Sequence, residues 1–199
     1  ALAYATGIKA YNPKLNVVAI MGDGDGVTIG GNHFIHACRR NIDLTAIILN
    51  NLNFGMTGGQ VSGTTPPQRY TSTTAYGNPE RDFDICALAE SAGANYVARC
   101  TPYHGWEMKE NMKEALTKKG FSVVEVVSPC PTHFGRHNEM KETPDMLHWL
   151  RDRAVAVEEF RRLPEAERAE RLAIGTLVSR DVPDFNTQYE LVKSRAQKG

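Results

Sequence analysis

The sequence has no excess of charge of either sign, because 23 Lys and Arg residues balance 23 Asp and Glu residues among 199 positions. Proteins that bind nucleic acids or acidic membrane surfaces usually carry a basic excess. Long apolar runs are missing as well: the longest, such as Val17–Met21 and Ala46–Leu49, fall far below the roughly 20 residues of a membrane-spanning helix. We therefore expect neither nucleic acid nor a membrane among the partners.

Cysteine is scarce, with four residues and no C-x-x-C pair, which excludes a disulfide-rich scaffold. The first residues contain no basic segment followed by a hydrophobic stretch, so no secretory signal is predicted. Together these two absences predict a cytoplasmic protein. Residues 1–11 have a helical pattern that starts without Met, and we expect further sequence upstream of them.

Short apolar runs alternate with helical patterns along the first two thirds of the chain, which is typical of α/β proteins. The runs suit strands of a parallel sheet that is covered on both faces. Strands are predicted at 16–21, 44–49, 96–99 and 121–127. Helices are predicted at 1–11, 30–40, 83–93 and 106–119. The predicted fold class is α/β, a three-layer sandwich with a mostly parallel sheet.

Two segments depart from this alternation. Asn50–Pro79 is a Gly-, Thr- and Pro-rich loop of about 30 residues, and loops of that length are usually functional. From residue 143 the sequence becomes charge-rich, with a helical pattern over 146–172 and an extended pattern at the end. We therefore divide the chain into an α/β domain, 1–142, and a helical C-terminal extension with a tail, 143–199, that packs on the domain or on a partner subunit.

Glycines and polar residues follow the first two predicted strands. The first strand runs into the sequence GDGDG, residues 22–26, and the second runs into NNLNFGMTGGQ, which begins at Asn50. One strand–helix–strand unit separates Asp23 from Asn51, so both lie at the same edge of the sheet, where α/β proteins bind ligands. A carboxylate and an amide oxygen suit a hard divalent cation, and glycines let backbone N–H groups approach a diphosphate. These residues predict a Mg²⁺-diphosphate site.

Other ligand sites fit this sequence less well. An EF-hand that starts at Asp23 needs an acidic residue at its twelfth position, where Phe34 stands. The glycine spacing differs from the dinucleotide fingerprint G-x-G-x-x-G, and the G-K-[ST] of a P-loop is absent. An acidic surface turn followed by a polar strand end, without any ligand, stays an open alternative.

GDG followed by NN resembles the signature of thiamine-diphosphate enzymes. The longer text IMGDGDGVTIGGNHFIHACRRN, NNLNFGMTGGQ and TTP resembles the β subunit of 2-oxoacid:ferredoxin oxidoreductases. The resemblance runs from residue 1 to about residue 140 and resumes over 175–192. Within that family, YGNPERDFDICALAESAGANYVAR and SPCPTHFGR are most similar to the 2-oxoglutarate branch.

The resemblance implies a site for Mg²⁺ and thiamine diphosphate. It implies that Mg²⁺ is bound by Asp23, the Asn51 side chain and the backbone carbonyl of Asn53. The residues expected to contact the diphosphate and the thiazolium ring are Gly24, Asp25, Gly55 and Met56. The Met56 side chain is expected to support the bent shape of the cofactor. Gly58 stands where some relatives have a substrate-contacting Lys, so recognition of the acid is expected from the partner subunit.

Cys130 lies between two prolines in the sequence SPCPTH. The resemblance implies that it is the last of four thiolates on a [4Fe–4S] cluster, with the other three upstream of residue 1, so this chain alone is not expected to hold the cluster. Two alternatives stay open: a buried structural cysteine, and a zinc site formed with His133 and His137. The other cysteines are predicted to be core residues, namely Cys38, Cys86 and Cys100.

The resemblance also implies a reaction and its partners. A 2-oxoacid, by similarity 2-oxoglutarate, is expected to be oxidatively decarboxylated, with coenzyme A as acyl acceptor and ferredoxin as electron acceptor. The glutamate that activates the cofactor is expected from the α subunit, since no Glu in this sequence has a suitable context. His33 and His36 follow the GDGDG turn and are predicted to be structural. The alternatives are a non-oxidative thiamine-dependent decarboxylase or synthase subunit, and a non-catalytic assembly subunit that binds Mg²⁺-diphosphate.

Overall fold

A six-stranded sheet forms the centre of the protein in a computed structural model that describes residues 1–140 and 142–198. The strands are β1 (Val18–Gly22), β2 (Thr45–Asn50), β3 (Tyr96–Cys100), β4 (Ser122–Val127), β5 (Ala154–Ala156) and β6 (Leu172–Ser179). The longer helices are α1 (Leu2–Tyr11), α2 (Gly31–Arg40), α3 (Ile85–Ala92), α4 (Gly105–Thr117), α5 (Thr143–Arg153) and α8 (Phe185–Ala196). Two short helices lie between them, α6 (Val157–Phe160) and α7 (Glu165–Arg168).

The sheet is mostly parallel, as predicted. Its strand order is β1-β2-β4-β3-β6-β5, and the pairs β1–β2, β2–β4 and β4–β3 are parallel. β6 runs antiparallel to β3, and β5 is parallel to β6. In the β1–β2 pair Gly22 lies opposite Leu49. This register makes Asp23 and Asn50 leave the sheet side by side, so the two polar strand ends meet.

Apolar side chains are buried on both faces of the sheet. On one face, α1, α2 and α3 cover a core in which Phe34 and Phe121 meet edge to face, with ring centroids 6.1 Å apart. On the other face, Ala115 of α4 packs with Tyr96 and Val124. Helices therefore lie on both sides of the sheet, which confirms the three-layer α/β sandwich.

The residues at the helix ends explain where the helices begin and end. The Asp84 side chain accepts a hydrogen bond from the Ala87 N–H at 2.9 Å and caps the start of α3. α3 ends at Gly93, whose φ of 100° is a backbone conformation that glycine adopts without strain. α4 ends before its predicted boundary, because Lys118 is already extended. Among the described residues, no helix is both long and apolar enough to cross a membrane.

The C-terminal segment differs from the sequence prediction over 146–172. A helix was predicted throughout this range, and that prediction was wrong in part. β5 interrupts the predicted helix at Ala154–Ala156 and pairs with the start of β6. The helix is interrupted again between α6 and α7, where Pro164 lies. Strand pairing within the sheet outweighs the helical pattern of the charged residues, as tertiary contacts often override local propensity.

The last residues differ from the prediction as well. An extended tail was expected, but β6 joins the sheet next to β3 and α8 follows it. α8 begins at a capping signal that the sequence contains: the Asp184 carboxylate accepts a hydrogen bond from the Thr187 N–H at 3.1 Å. The division of the chain into 1–142 and 143–199 stays a prediction.

Replacing Phe34 tests the assignment of the core, because this side chain is fully buried. Phe34→Ala removes apolar contacts and leaves a cavity, so we expect the free energy of unfolding to fall by about 3–5 kcal/mol. Tyr11→Ala, at a position that is 93% exposed, is the control and should change it by less than about 0.5 kcal/mol. Urea unfolding followed by circular dichroism measures both. Similar losses in the two variants would contradict the core described above.

Candidate functional site

The candidate site lies where β1 and β2 end. Asp23 follows β1 directly and precedes a π-helical turn, Gly24–Thr28. Its side chain is almost completely buried, and its Oδ1 accepts a hydrogen bond from the Asn51 N–H at 3.2 Å. The structure therefore brings Asp23 and Asn51 together, as their spacing in the sequence predicts.

The Asp23 carboxylate is buried without a cationic partner. Burial raises its pKa, although hydrogen bonds from Ser62, Thr64 and the Asn51 N–H act in the opposite direction. None of the salt bridges in the described part of the chain involves Asp23. A buried negative charge of this kind is stabilised by a nearby cation. The site therefore has the electrostatic character of a cation site.

Asn53 supplies a second indication that the site accommodates a ligand. Its side chain is 2% exposed, yet neither Oδ1 nor Nδ2 has a hydrogen-bond partner among the described residues. A buried polar group without a partner costs about 1–3 kcal/mol, so such groups usually bind a ligand, an ion or water. Its backbone N–H donates to Asn51 Oδ1 at 3.3 Å, and its carbonyl accepts from the Gly55 N–H at 3.1 Å. The segment from Asn51 to Gly55 is thus a hydrogen-bonded turn whose first N–H bonds to Asp23.

Two of the predicted cofactor-contacting residues are glycines in crowded positions. A Cβ on Gly24 would lie 2.2 Å from the Phe54 ring, which leaves no room for a side chain. A Cβ on Gly55 would lie 3.2 Å from Asn51 Nδ2 and 3.7 Å from Cys130 Sγ. The absence of a side chain therefore allows the backbone to lie close to the Phe54 ring at Gly24 and to the Asn51 and Cys130 side chains at Gly55.

The other two predicted cofactor-contacting residues, Asp25 and Met56, are exposed. The Asp25 side chain is exposed and is not among the hydrogen-bond partners of the buried Asp23. Met56 is 99% exposed, at the tip of a turn in which the Gly58 N–H donates to the Gly55 carbonyl at 3.2 Å. Both side chains are available for contacts with a ligand or with another subunit.

Cys130 lies beside the same turn. Its N–H donates to the Asn51 carbonyl at 3.1 Å, and its side chain is half-buried. Burial raises the pKa of the Cys38 and Cys100 thiols to about 12 and that of Cys86 well above its ordinary value, so these remain protonated at neutral pH. Cys130 is the one of the four cysteines that is not fully buried.

The structure does not assemble the alternative zinc site. In the part of the chain that is described, the one group of three potential metal-binding side chains is Asp84, Cys86 and Glu125, not Cys130 with the two histidines near it. Both carboxylates of that group already form salt bridges with the Arg99 guanidinium. His33 and His36 are exposed on α2, and His36 Nδ1 accepts a hydrogen bond from Arg39 Nε at 3.3 Å.

The sequence analysis missed a polar network that adjoins Asp23. Asn50 Nδ2 donates to Glu125 Oε1 at 2.8 Å, and Arg99 Nε donates to Glu125 Oε2 at 2.7 Å. The sequence contains a signal for this network, because Arg99 and Glu125 interrupt the otherwise apolar strands β3 and β4. In the structure they occupy paired positions in the two strands. Single charges within buried strands are rarely tolerated unless they are paired.

The family model for the C-terminal TPP-binding domain of thiamine pyrophosphate enzymes matches residues 1–126. This range includes Asp23, Asn51 and Asn53. The match therefore covers the cluster of buried oxygens described above, and it ends before Cys130.

Similar proteins extend the match over the whole chain. The sequence is 48% identical to the 2-oxoglutarate synthase subunit KorB of Archaeoglobus fulgidus over 201 residues, which cover 100% of this chain and 71% of that protein. It is 45% identical to the protein of the same name from Methanocaldococcus jannaschii over 184 residues, 92% of this chain and 68% of that protein. The fold is similar to a solved 2-oxoglutarate:ferredoxin oxidoreductase from Magnetococcus marinus with 2-oxoglutarate, coenzyme A and succinyl-CoA bound. That similarity has a TM-score of 0.85 at 29% identity and covers 99% of this chain and 68% of the other.

The expected family is thus confirmed by the domain match, by the sequence identities and by the fold. The chain belongs to the β subunits of the 2-oxoacid:ferredoxin oxidoreductases, which carry the thiamine-pyrophosphate-binding domain.

Proposed function

We propose that this chain binds Mg²⁺ and thiamine diphosphate in a cytoplasmic oxidoreductase that converts 2-oxoglutarate to succinyl-CoA, with coenzyme A and ferredoxin as co-substrates. The observation that carries the proposal is the buried Asp23 carboxylate, which forms no salt bridge among the described residues, together with the unpartnered Asn53 amide two residues after its hydrogen-bond partner Asn51. The choice of substrate is supported by the names of the similar proteins and by the ligands of the similar solved structure.

Three oxygens of the turn region fit the cation. Asp23 supplies a carboxylate oxygen, Asn51 an amide oxygen that the Asn53 N–H already orients, and Asn53 its backbone carbonyl. Mg²⁺ prefers such oxygen ligands together with the oxygens of a diphosphate. We propose that these three residues hold the cation, and that the backbone at Gly24 and Gly55 contacts the diphosphate beside it.

Met56 and Asp25 are exposed, and we propose that they contact the cofactor rather than the cation. The exposed Met56 offers an apolar surface at the mouth of the site, where we propose that it supports the bent cofactor. At Asp25 we propose that the backbone, rather than the exposed carboxylate, contacts the diphosphate. When bound, thiamine diphosphate supplies the electron sink for decarboxylation, and the protein supplies binding, geometry and electrostatics.

Among the described residues, no buried glutamate is free to act on the cofactor. Glu125 is the buried glutamate among the described residues, and it is engaged by Arg99 and Asn50. We therefore propose that the activating glutamate comes from the α subunit, so that the active site is formed between two chains. The similar proteins that are named 2-oxoacid:ferredoxin or 2-oxoglutarate:ferredoxin oxidoreductases favour an oxidative reaction over a non-oxidative one.

Cys130 is proposed as a ligand of a [4Fe–4S] cluster. Such a cluster needs four thiolates, and Cys38, Cys86 and Cys100 are buried in the cores on the two faces of the sheet, whereas Cys130 packs against a separate cluster of side chains. The other three must then come from residues outside this sequence. The position of Cys130 beside the Asn51–Gly55 turn would put the cluster next to the cofactor, which suits electron transfer to ferredoxin.

Asp23→Asn tests the proposed cation site, because it keeps the size of the side chain and removes its charge. We expect the Mg²⁺-dependent affinity for thiamine diphosphate to fall by at least about 100-fold, or about 3 kcal/mol. Titration calorimetry of the complex with its α subunit measures this affinity. Asp181→Asn, at an exposed carboxylate, is the control and should bind as the wild type does. Wild-type affinity in Asp23→Asn would defeat the proposal.

Cys130→Ser tests the cluster independently of the cation site. An oxygen ligand suits iron–sulfur chemistry poorly, so we expect the iron content and the visible cluster absorbance to fall while thiamine diphosphate affinity is retained. The variant is measured in the full-length protein within its complex. Cys38→Ala, which removes a buried thiol, should keep the cluster. An unchanged cluster spectrum with full ferredoxin reduction in Cys130→Ser would make this residue a structural cysteine.

A further inference from the structure

A short turn of the long loop lies across the ends of β1 and β2. We call residues 62–65 (Ser62, Gly63, Thr64 and Thr65) the hydroxyl turn. Ser62 Oγ donates to Asp23 Oδ2 at 2.6 Å, and Thr64 Oγ1 lies 2.7 Å from the same oxygen. Thr64 Oγ1 also lies 2.9 Å from Asn50 Oδ1. Two side-chain hydroxyls thus meet one oxygen of the buried carboxylate.

The hydroxyl turn is held in place by the segments that surround the site. The Gly63 N–H donates to Thr28 Oγ1 at 2.9 Å, at the end of the π-helical turn. Thr65 Oγ1 donates to the Leu52 carbonyl at 2.7 Å, and the Phe83 N–H donates to the Gly63 carbonyl at 2.7 Å. The turn is therefore fixed to the ends of both strands that carry the proposed cation ligands.

Asn50 connects the hydroxyl turn to the buried ion pair. A carboxylate only accepts hydrogen bonds, so Glu125 fixes the Asn50 amide with its nitrogen toward Glu125 and its oxygen toward Thr64. Arg99 holds the Glu125 carboxylate from the other side. Asn50, which contacts Thr64, is thereby held in place by the ion pair within the sheet.

The two oxygens of Asp23 have unequal surroundings. Oδ2 has two hydroxyl contacts of 2.6 and 2.7 Å, whereas Oδ1 accepts one longer backbone hydrogen bond of 3.2 Å. We propose that Ser62 and Thr64 are positioning residues that hold Oδ2 and thereby turn Oδ1 toward the cation. This inference rests on the proposed function, because the orientation of Asp23 matters for the cation that it binds. Hydrogen-bond partners of metal-ligating carboxylates typically contribute 10- to 100-fold to metal affinity.

Thr64→Val tests the inference, because valine has nearly the same shape and no hydroxyl. We expect the Mg²⁺ concentration for half-saturation, at fixed thiamine diphosphate, to rise by about 10-fold or more. Thiamine diphosphate affinity at saturating Mg²⁺ should stay within about 3-fold of wild type, since the diphosphate contacts are unchanged. Titration calorimetry of the complex with the α subunit gives both values without measuring activity.

Two matched variants separate positioning from a general structural effect. Thr64→Ser restores the hydroxyl and should return the Mg²⁺ requirement to near that of the wild type. Thr71→Val removes the hydroxyl of another buried threonine in the same loop, whose closest partner is Thr74 Oγ1 at 2.7 Å, and should have no effect on it. Ser62→Ala removes the second hydroxyl and should also raise the Mg²⁺ requirement, so it carries the test if Thr64→Val does not fold.

The outcomes distinguish this inference from the proposed function. If the wild-type complex binds thiamine diphosphate equally well with and without Mg²⁺, the proposed cation site is wrong and the inference fails with it. If the wild type requires Mg²⁺ but Thr64→Val and Ser62→Ala have the wild-type requirement, the inference alone is wrong. If Thr64→Ser and Thr71→Val are as impaired as Thr64→Val, the effect is structural and the positioning role is overturned.

Discussion

The hydrogen bond from the Asn51 N–H to the Asp23 carboxylate joins the ends of β1 and β2, and the rest of the site is built around it. The parallel register of the two strands makes the contact possible, because Gly22 lies opposite Leu49 and the chains leave the sheet together. A carboxylate buried at this point needs compensation for its lost hydration. Among the described residues, hydrogen bonds reach this carboxylate but no salt bridge does, which is why a cation is proposed here.

The buried polar network next to Asp23 contains an ion pair of its own. Glu125 is matched by Arg99, and Asn50 bonds to Glu125 on one side while it contacts Thr64 on the other. A buried ion pair adds little net stability, but leaving either partner alone is costly, so the pair fixes the positions of its neighbours. In this region the uncompensated groups are the Asp23 charge and the Asn53 amide, and both lie where the cation is proposed.

Much of the fold follows from local patterns in the sequence. The short apolar runs correspond to β1–β4, and the alternation with helices predicts the parallel order of these strands. The polar strand ends predict that Asp23 and Asn51 meet, since crossover connections bring successive strand ends to one edge. β6 was missed because it is a half-buried strand whose pairing with β3 depends on residues far apart in the sequence.

The hydroxyl turn could not be foreseen in the same way. Ser62 and Thr64 lie in a loop without apolar periodicity, and their approach to Asp23 depends on contacts with Thr28, Leu52 and Phe83. Serine and threonine in a Gly- and Pro-rich loop usually indicate turns rather than a binding site. Their contacts with Asp23 depend on the three-dimensional arrangement, not on any local pattern in the sequence.

The central claim is that the ends of β1 and β2 bind a divalent cation together with thiamine diphosphate. The most direct measurement is a crystal structure of the complex with the α subunit, grown with thiamine diphosphate and Mn²⁺ in place of Mg²⁺, with anomalous diffraction used to locate the metal. With data collected on either side of the manganese absorption edge to separate manganese from the iron of the cluster, the account predicts a manganese peak in ligand contact with Asp23 Oδ1, the Asn51 side chain and the Asn53 carbonyl. Bound thiamine diphosphate with its metal at other residues would contradict it.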